Sequence, residues 1–260
     1  MNLRFCPAEL VKSSRALTAV MGLGLLFLAG CRHDSVVPVP LTDYFPVAVG
    51  TYRTYAVADS VWKNRVVTVS NYQFRERVTE QYADAAGQLA YRLVRSKRAN
   101  ASAAWADDSV LVVQVLPQAV VQTASNLRTV ELIYPPKAGK GWNKNAFNAS
   151  PDTITNLSRY YTSNVGTPYT TAPAGSQAAK TYPVTVSTYD MFSANDNDGF
   201  RRMSGLLQVY APGVGRVLRR RYSYYYYFVN PDGSETNTKD KGIIQMGASR
   251  RETLIETGTI

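Results

Sequence analysis

Arg219, Arg221, Ser223, Tyr225 and Tyr227 fall on alternate positions of one run, residues 216–228, so in a strand they share a face. Guanidinium groups on such a face pair with phosphate or carboxylate oxygens, and phenol rings stack on sugars or bases, a combination suited to an anionic ligand. The competing account is a central strand with Leu218, Tyr222, Tyr224, Tyr226 and Phe228 in the core and the arginine and tyrosine face as a solvated ladder.

Carboxylate catalysis is the other chemistry the residue types allow. Glu76 with Glu80, Asp107 with Asp108, and Glu131 are the candidate acids, each otherwise an ordinary surface charge. Glycan hydrolysis would need two of them to face one another across a cleft, roughly 5 to 9 Å apart. Histidine- and thiol-dependent nucleophilic and metal chemistry lose their groups, since the only histidine is His33 and the only cysteines are Cys6 and Cys31; a serine with a lysine base survives beside the carboxylates. No catalytic residue, metal ligand or cofactor site is assigned. The acidic loop 195–199 has the oxygen-rich look of a calcium loop, but Ala194 and Gly205 stand where an EF-hand needs ligands, so it reads as a polar turn. Gly213-Val214-Gly215 lacks the Lys-Ser/Thr of a phosphate loop and reads as a turn between strands.

The elements that must position these residues are short strands. From Tyr44 onward, β-branched and aromatic runs alternate with Gly, Pro and Asx breaks, the pattern of an antiparallel all-β domain shaped as a barrel, half-barrel or strongly curved sheet. Eighteen tyrosines against eight phenylalanines suit it, since a phenol buries its ring and keeps its hydroxyl in water. Tyr72, Phe74, Glu76, Val78, Glu80 and Tyr82 alternate with a wholly polar set, which favours a strand over the helix that Phe74, Val78 and Tyr82 would also fit. Asp84 to Gln88 should turn that strand back, and residues 110–116 should be buried on both faces.

Ahead of this domain, Lys12 and Arg15 flank an apolar run that ends at Leu28-Ala29-Gly30-Cys31. Only about 15 residues separate Arg15 from Cys31, short of the roughly 20 that a spanning helix needs. The run resembles the leader and lipobox of bacterial lipoproteins, which implies removal of residues 1–30 and acylation of Cys31. Residues 31–42, rich in Pro and Val, form a tether, and residues 43–260 a single β domain. Loss of the leader takes Arg4, Lys12, Arg15 and Glu9 and leaves 26 basic and 18 acidic residues, a net charge of +8. A basic exported domain points to an anionic lipid, an acidic glycan or an envelope protein as partner, and away from nucleic acid.

Three separated segments add a second resemblance. Tyr44-Phe45-Pro46 with Gly50-Thr51-Tyr52, residues 142–148, and Tyr210-Ala211-Pro212-Gly213-Val214-Gly215 are similar to segments of uncharacterised outer-membrane lipoproteins of Bacteroidota. The resemblance implies an envelope location and a β fold, with no activity attached, and a lipid-anchored binding or assembly module is the expected function. Arg32-His33-Asp34 lacks an acidic run, which favours the periplasmic face of the outer membrane over the cell surface. Asp-Ser/Thr-aliphatic tripeptides at Ser35, Ser60, Ser109 and Thr153 resemble O-glycosylation acceptors of exported proteins in that phylum, and they also fit simple turn-to-strand entries.

Overall fold

A computed structural model describes residues 43–148, 157–191, 198 and 200–260. Cys31, Ser35, Thr153 and most of the 195–199 loop lie outside these residues.

The strands are β1 (Thr51–Lys63), β2 (Val66–Ala83), β3 (Leu89–Arg98), β4 (Ala106–Val115), β5 (Ala119–Ala124), β6 (Leu127–Ile133), β7 (Gly141–Trp142), β8 (Arg159–Thr171), β9 (Lys180–Asp190), β10 (Arg202–Ala211), β11 (Gly215–Tyr225), β12 (Tyr227–Val229), β13 (Glu235–Asn237) and β14 (Met246–Thr259). All but β12 and β13 form one antiparallel sheet, in the order β6-β5-β4-β3-β2-β1-β14-β11-β10-β9-β8-β7, rolled into a nearly closed barrel. The all-β expectation is met in its barrel form. Most neighbours are hairpins, whereas β1 beside β14 unites the two ends of the domain.

Closure is made by residues 142–148, one of the three segments that carry the second resemblance. Val130 N–H donates to Lys144 O at 2.8 Å, and Asn148 bonds both the N–H and the carbonyl of Arg128. The Trp142 indole N–H donates to Val130 O at 2.9 Å while its ring packs on Tyr161 with centroids 5.0 Å apart. Backbone groups that two edge strands would leave unpaired are satisfied across this seam.

One end of the interior is apolar: Val78, Leu93, Leu111, Val113, Val120, Val130, Leu132 and Val186 pack with Tyr44 and Phe45, the first residues of the domain. The opening and closing motifs meet there. Gly213 N–H donates to Asp43 O, and the buried Arg53 donates from Nε to Val214 O at 2.8 Å and from Nη2 to Pro46 O. A side chain at position 215 would press its Cβ to 2.9 Å from Arg53 Nε, so glycine is needed at that turn, where φ is +95°.

Several sequence expectations need correction. A bulge after Val78 throws Glu80 to the outer face, where it pairs with Arg92, so Glu80 never shares a side with Glu76. Along residues 110–116 only the inner positions Leu111 and Val113 are fully buried with Gln114, and Val110 is 54% exposed, because the outer face of β4 is wet. On β11 the arginine-bearing face is the inner one. Tyr222 and Tyr224 point outward, stacked on each other at 5.3 Å, with Trp62 edge-on to Tyr224 at 5.2 Å. Gly205 and Gly247, directly opposite these tyrosines, leave room for the rings.

Candidate functional site

Strand alternation and register build the inner face in rows. Thr188, Gln208, Arg219, Glu252, Val57 and Tyr72 lie directly opposite one another on six neighbouring strands, and the next row holds Asp190, Leu206, Arg221, Arg250, Asp59 and Ser70. Bulges in β10–β11 and β1–β14 tilt Tyr210, Arg216 and Tyr55 into the same interior.

Most charges here are paired. Glu76 accepts from Arg95 and from Arg216 (3.2 Å), which also reaches Glu252 at 3.5 Å. Glu131 accepts from Arg159 Nη1 at 2.8 Å and from Gln208 Nε2 at 2.8 Å, and Asp190 takes Arg159 and Lys144. Asp59 holds Arg250 through both oxygens, at 2.7 and 2.8 Å. Burial alone would raise the Glu76 and Glu131 carboxyls, yet Arg216 and Arg95 beside one and Arg159 beside the other outweigh it and hold each at about 2. Burial pushes the Tyr55 phenol up to about 12.

Two arginines of the inner rows stand apart. No carboxylate lies within ion-pair distance of Arg219 or Arg221 among the described residues, since Glu252, opposite Arg219, turns to Arg216, and Arg221 stands opposite Arg250. Arg219 is half-buried. Its guanidinium is drawn below the usual arginine value by burial, against the favourable field of Glu252 and with the repulsion of Arg216. Around it, Gln208 Oε1, Thr188 Oγ1 and Arg216 Nε are buried with no hydrogen-bond partner. Inward polar atoms of this kind, donors and acceptors together, need a polar partner. Above Arg219, Arg221 opens on a cleft of about 490 Å³ lined by Asp59, Val61, Ser204, Ser223 and Arg250.

The tyrosines expected beside these arginines are set apart. β11 ends at Tyr225, on the inner face opposite Arg202 and Met246, and Tyr227 opens the small β12–β13 sheet with its hydroxyl buried and unpaired. Both rings line a second cleft, of about 420 Å³, with Arg65, Phe228 and Gln245. The structure therefore joins Arg219 to Arg221, and Tyr225 to Tyr227, in adjoining places. Thr188, Gln208 and Arg250, which complete the arginine site, carry no motif in the sequence and are brought in by register alone.

The acid candidates separate in the same way. Asp107 is on the outer surface, bonded to Arg77 and Ser96, whereas Glu76 and Glu131 are buried inside. Ser60 and Ser109 are half-buried, both within strands, and Ser109 Oγ donates to the Asp108 carboxylate at 3.1 Å. The described residues hold no group of three or more potential metal-ligating side chains, and no helix long and apolar enough to cross a membrane.

No family model matches the sequence, and no curated protein matches it. Among solved structures, a Bacteroides fragilis protein described as exported and of YmcC-like fold is similar, with a TM-score of 0.42 and 12% identity over 83% of this chain and 98% of that one. A likeness of that size carries no argument about fold or function.

Proposed function

We propose that the chain is a lipid-anchored protein of the cell envelope, held to the outer membrane through an acylated Cys31 on the periplasmic side, and that its barrel binds an anionic ligand without transforming it. The observation that carries the binding reading is the pair Arg219 and Arg221, one above the other on the inner face, Arg219 half-buried and Arg221 exposed at the cleft, with no carboxylate within ion-pair distance among the described residues while Glu76, Glu131, Asp190 and Asp59 each hold another arginine. A phosphate or carboxylate group supplies the missing charge, and Gln208, Thr188 and Arg216 offer it or its hydroxyls further hydrogen bonds. A lipid, an acidic glycan or a segment of an envelope protein can each present such a group.

Hydrolysis is disfavoured by the same geometry. A general acid needs a carboxyl that keeps its proton near neutral pH, and Glu76 and Glu131 are held at about 2 by their arginines.

Calorimetric titration of the chain with octyl phosphate and with inorganic phosphate tests the reading. Binding that weakens at least tenfold in Arg219→Ala/Arg221→Ala, and that weakens with added salt, supports it. Equal binding by wild type and variant, or none by either, overturns it. Intact mass of the membrane-bound form tests the anchor: a lipidated chain beginning at Cys31 is expected, and a chain still beginning at Met1 refutes it.

A further inference from the structure

In β2, residues 66–72 pair with β1 over the register Lys63↔Val66 to Val57↔Tyr72, whereas pairing with β3 begins only at Gln73↔Arg98. Among the described residues, the second edge of 66–72 therefore has no ladder partner. Natural edges are blunted by charge, proline or bulges. Val66-Val67-Thr68-Val69-Ser70-Asn71 has none of these, and its pairing with β1 runs without a register shift. Val66, Val67 and Val69 are 68, 45 and 56% exposed.

The segment complements itself in one register. Two copies laid antiparallel about a two-fold at Thr68 place Thr68 opposite Thr68, Val66 opposite Ser70, and Val67 opposite Val69 twice, with both valine pairs on the outer face. A two-fold at Val67 would set Arg65 against Val69, and one at Val69 would set Val67 against Asn71, so each loses the double valine match. No like charges oppose one another in the Thr68 register, and cross-strand pairs of β-branched residues stabilise a ladder. An isologous contact of this kind closes at two copies. We infer that two copies of this chain associate by antiparallel addition of β2 to β2, centred on Thr68. The joined edges make the inner face, which Val66, Thr68 and Ser70 continue, run from one copy into the other.

The register makes the test specific. In the full-length chain under mild oxidation, Thr68→Cys should give a disulfide-linked dimer whose cross-linked peptide maps to position 68 in both copies. Val66→Cys alone should give no link at its position, while Val66→Cys mixed with Ser70→Cys should give one. Sedimentation should show two chains for wild type and one for Val69→Lys, with an unchanged circular dichroism spectrum. A wild type that sediments as one chain, a Val69→Lys variant that remains dimeric, or cross-linking as strong for Val66→Cys alone as for Thr68→Cys would each overturn the inference.

Discussion

Arg216 sits between two carboxylates inside the barrel, its Nη2 3.2 Å from Glu76 Oε1 and 3.5 Å from Glu252 Oε2. Glu76 has a second partner in Arg95, whereas among the described residues no other ion pair reaches Glu252. Arg216 thus joins β11 to β2 across the interior as well as to its neighbour β14, and it neutralises a carboxylate that is only 2% exposed.

Arg216→Met should destabilise the fold by about 3 to 5 kcal/mol, since it strands a buried charge. Glu80→Ala, which removes an exposed partner of Arg92, should change stability by less than about 1 kcal/mol. Urea unfolding of the two variants beside wild type measures both. Equal midpoints for Arg216→Met and wild type would contradict the role given to this arginine.

Stability should fall on the acid side. Glu76 and Glu131 titrate at about 2 in the fold against an ordinary 4.5, so the unfolded chain takes up protons first as pH drops. Their contribution is complete above about pH 4.5 and is lost as pH falls from there towards 2. Denaturation midpoints measured from pH 7 to pH 2.5 should be level near neutrality and descend below pH 4.5. A chain equally stable at pH 3 and pH 6 would show that these carboxylates are not held as described.

At the seam, Trp142→Phe keeps an aromatic ring and deletes the N–H that Val130 O accepts. A loss of about 1 kcal/mol is expected, because Arg159 Nη1 lies 3.3 Å from the same carbonyl and keeps it partly satisfied. Amide exchange at Val130, whose N–H reaches Lys144 O across the seam, should quicken more than exchange at Leu93 in the sheet interior.

Gly247→Ala should cost more than Gly205→Ala. A Cβ at 247 would stand 2.4 Å from the backbone carbonyl of Ser223, which moves only with the ladder, while one at 205 meets the Tyr222 ring, which can rotate away. Thermal melts of the two variants rank them directly. The reverse order would mean that the Tyr222 and Tyr224 stack is more rigid than the ladder beneath it.

The strands were legible because valine, threonine and tyrosine cluster between glycine and proline breaks, and the Asp84 to Gln88 turn sits where those signals placed it. Two hairpin turns carried no such signal. Asn64-Arg65 and Ser125-Asn126 adopt positive φ at both central positions without glycine, so only the pairing of their flanking strands defines them. Alternation on β11 correctly grouped Arg219 with Arg221, but periodicity separates two faces without saying which one encloses the interior. That depends on the roll of the sheet. The ion pairs were unreadable for a related reason: Glu131 meets Arg159, and Glu76 meets Arg216, only because the rolled sheet brings together strands that are remote in sequence.

Tyr44 and Phe45, which follow directly on Asp43, are packed into the apolar end of the barrel. Tension along the incoming chain is therefore borne first by those two rings and by the Asp43 to Gly213 and Arg53 to Pro46 hydrogen bonds, before any strand of the ladder is loaded. A sustained pull on the chain ahead of Asp43 would thus act as on a mechanical fuse, drawing out the aromatic stopper and uncovering that end of the core before the hydrogen-bonded wall gives way.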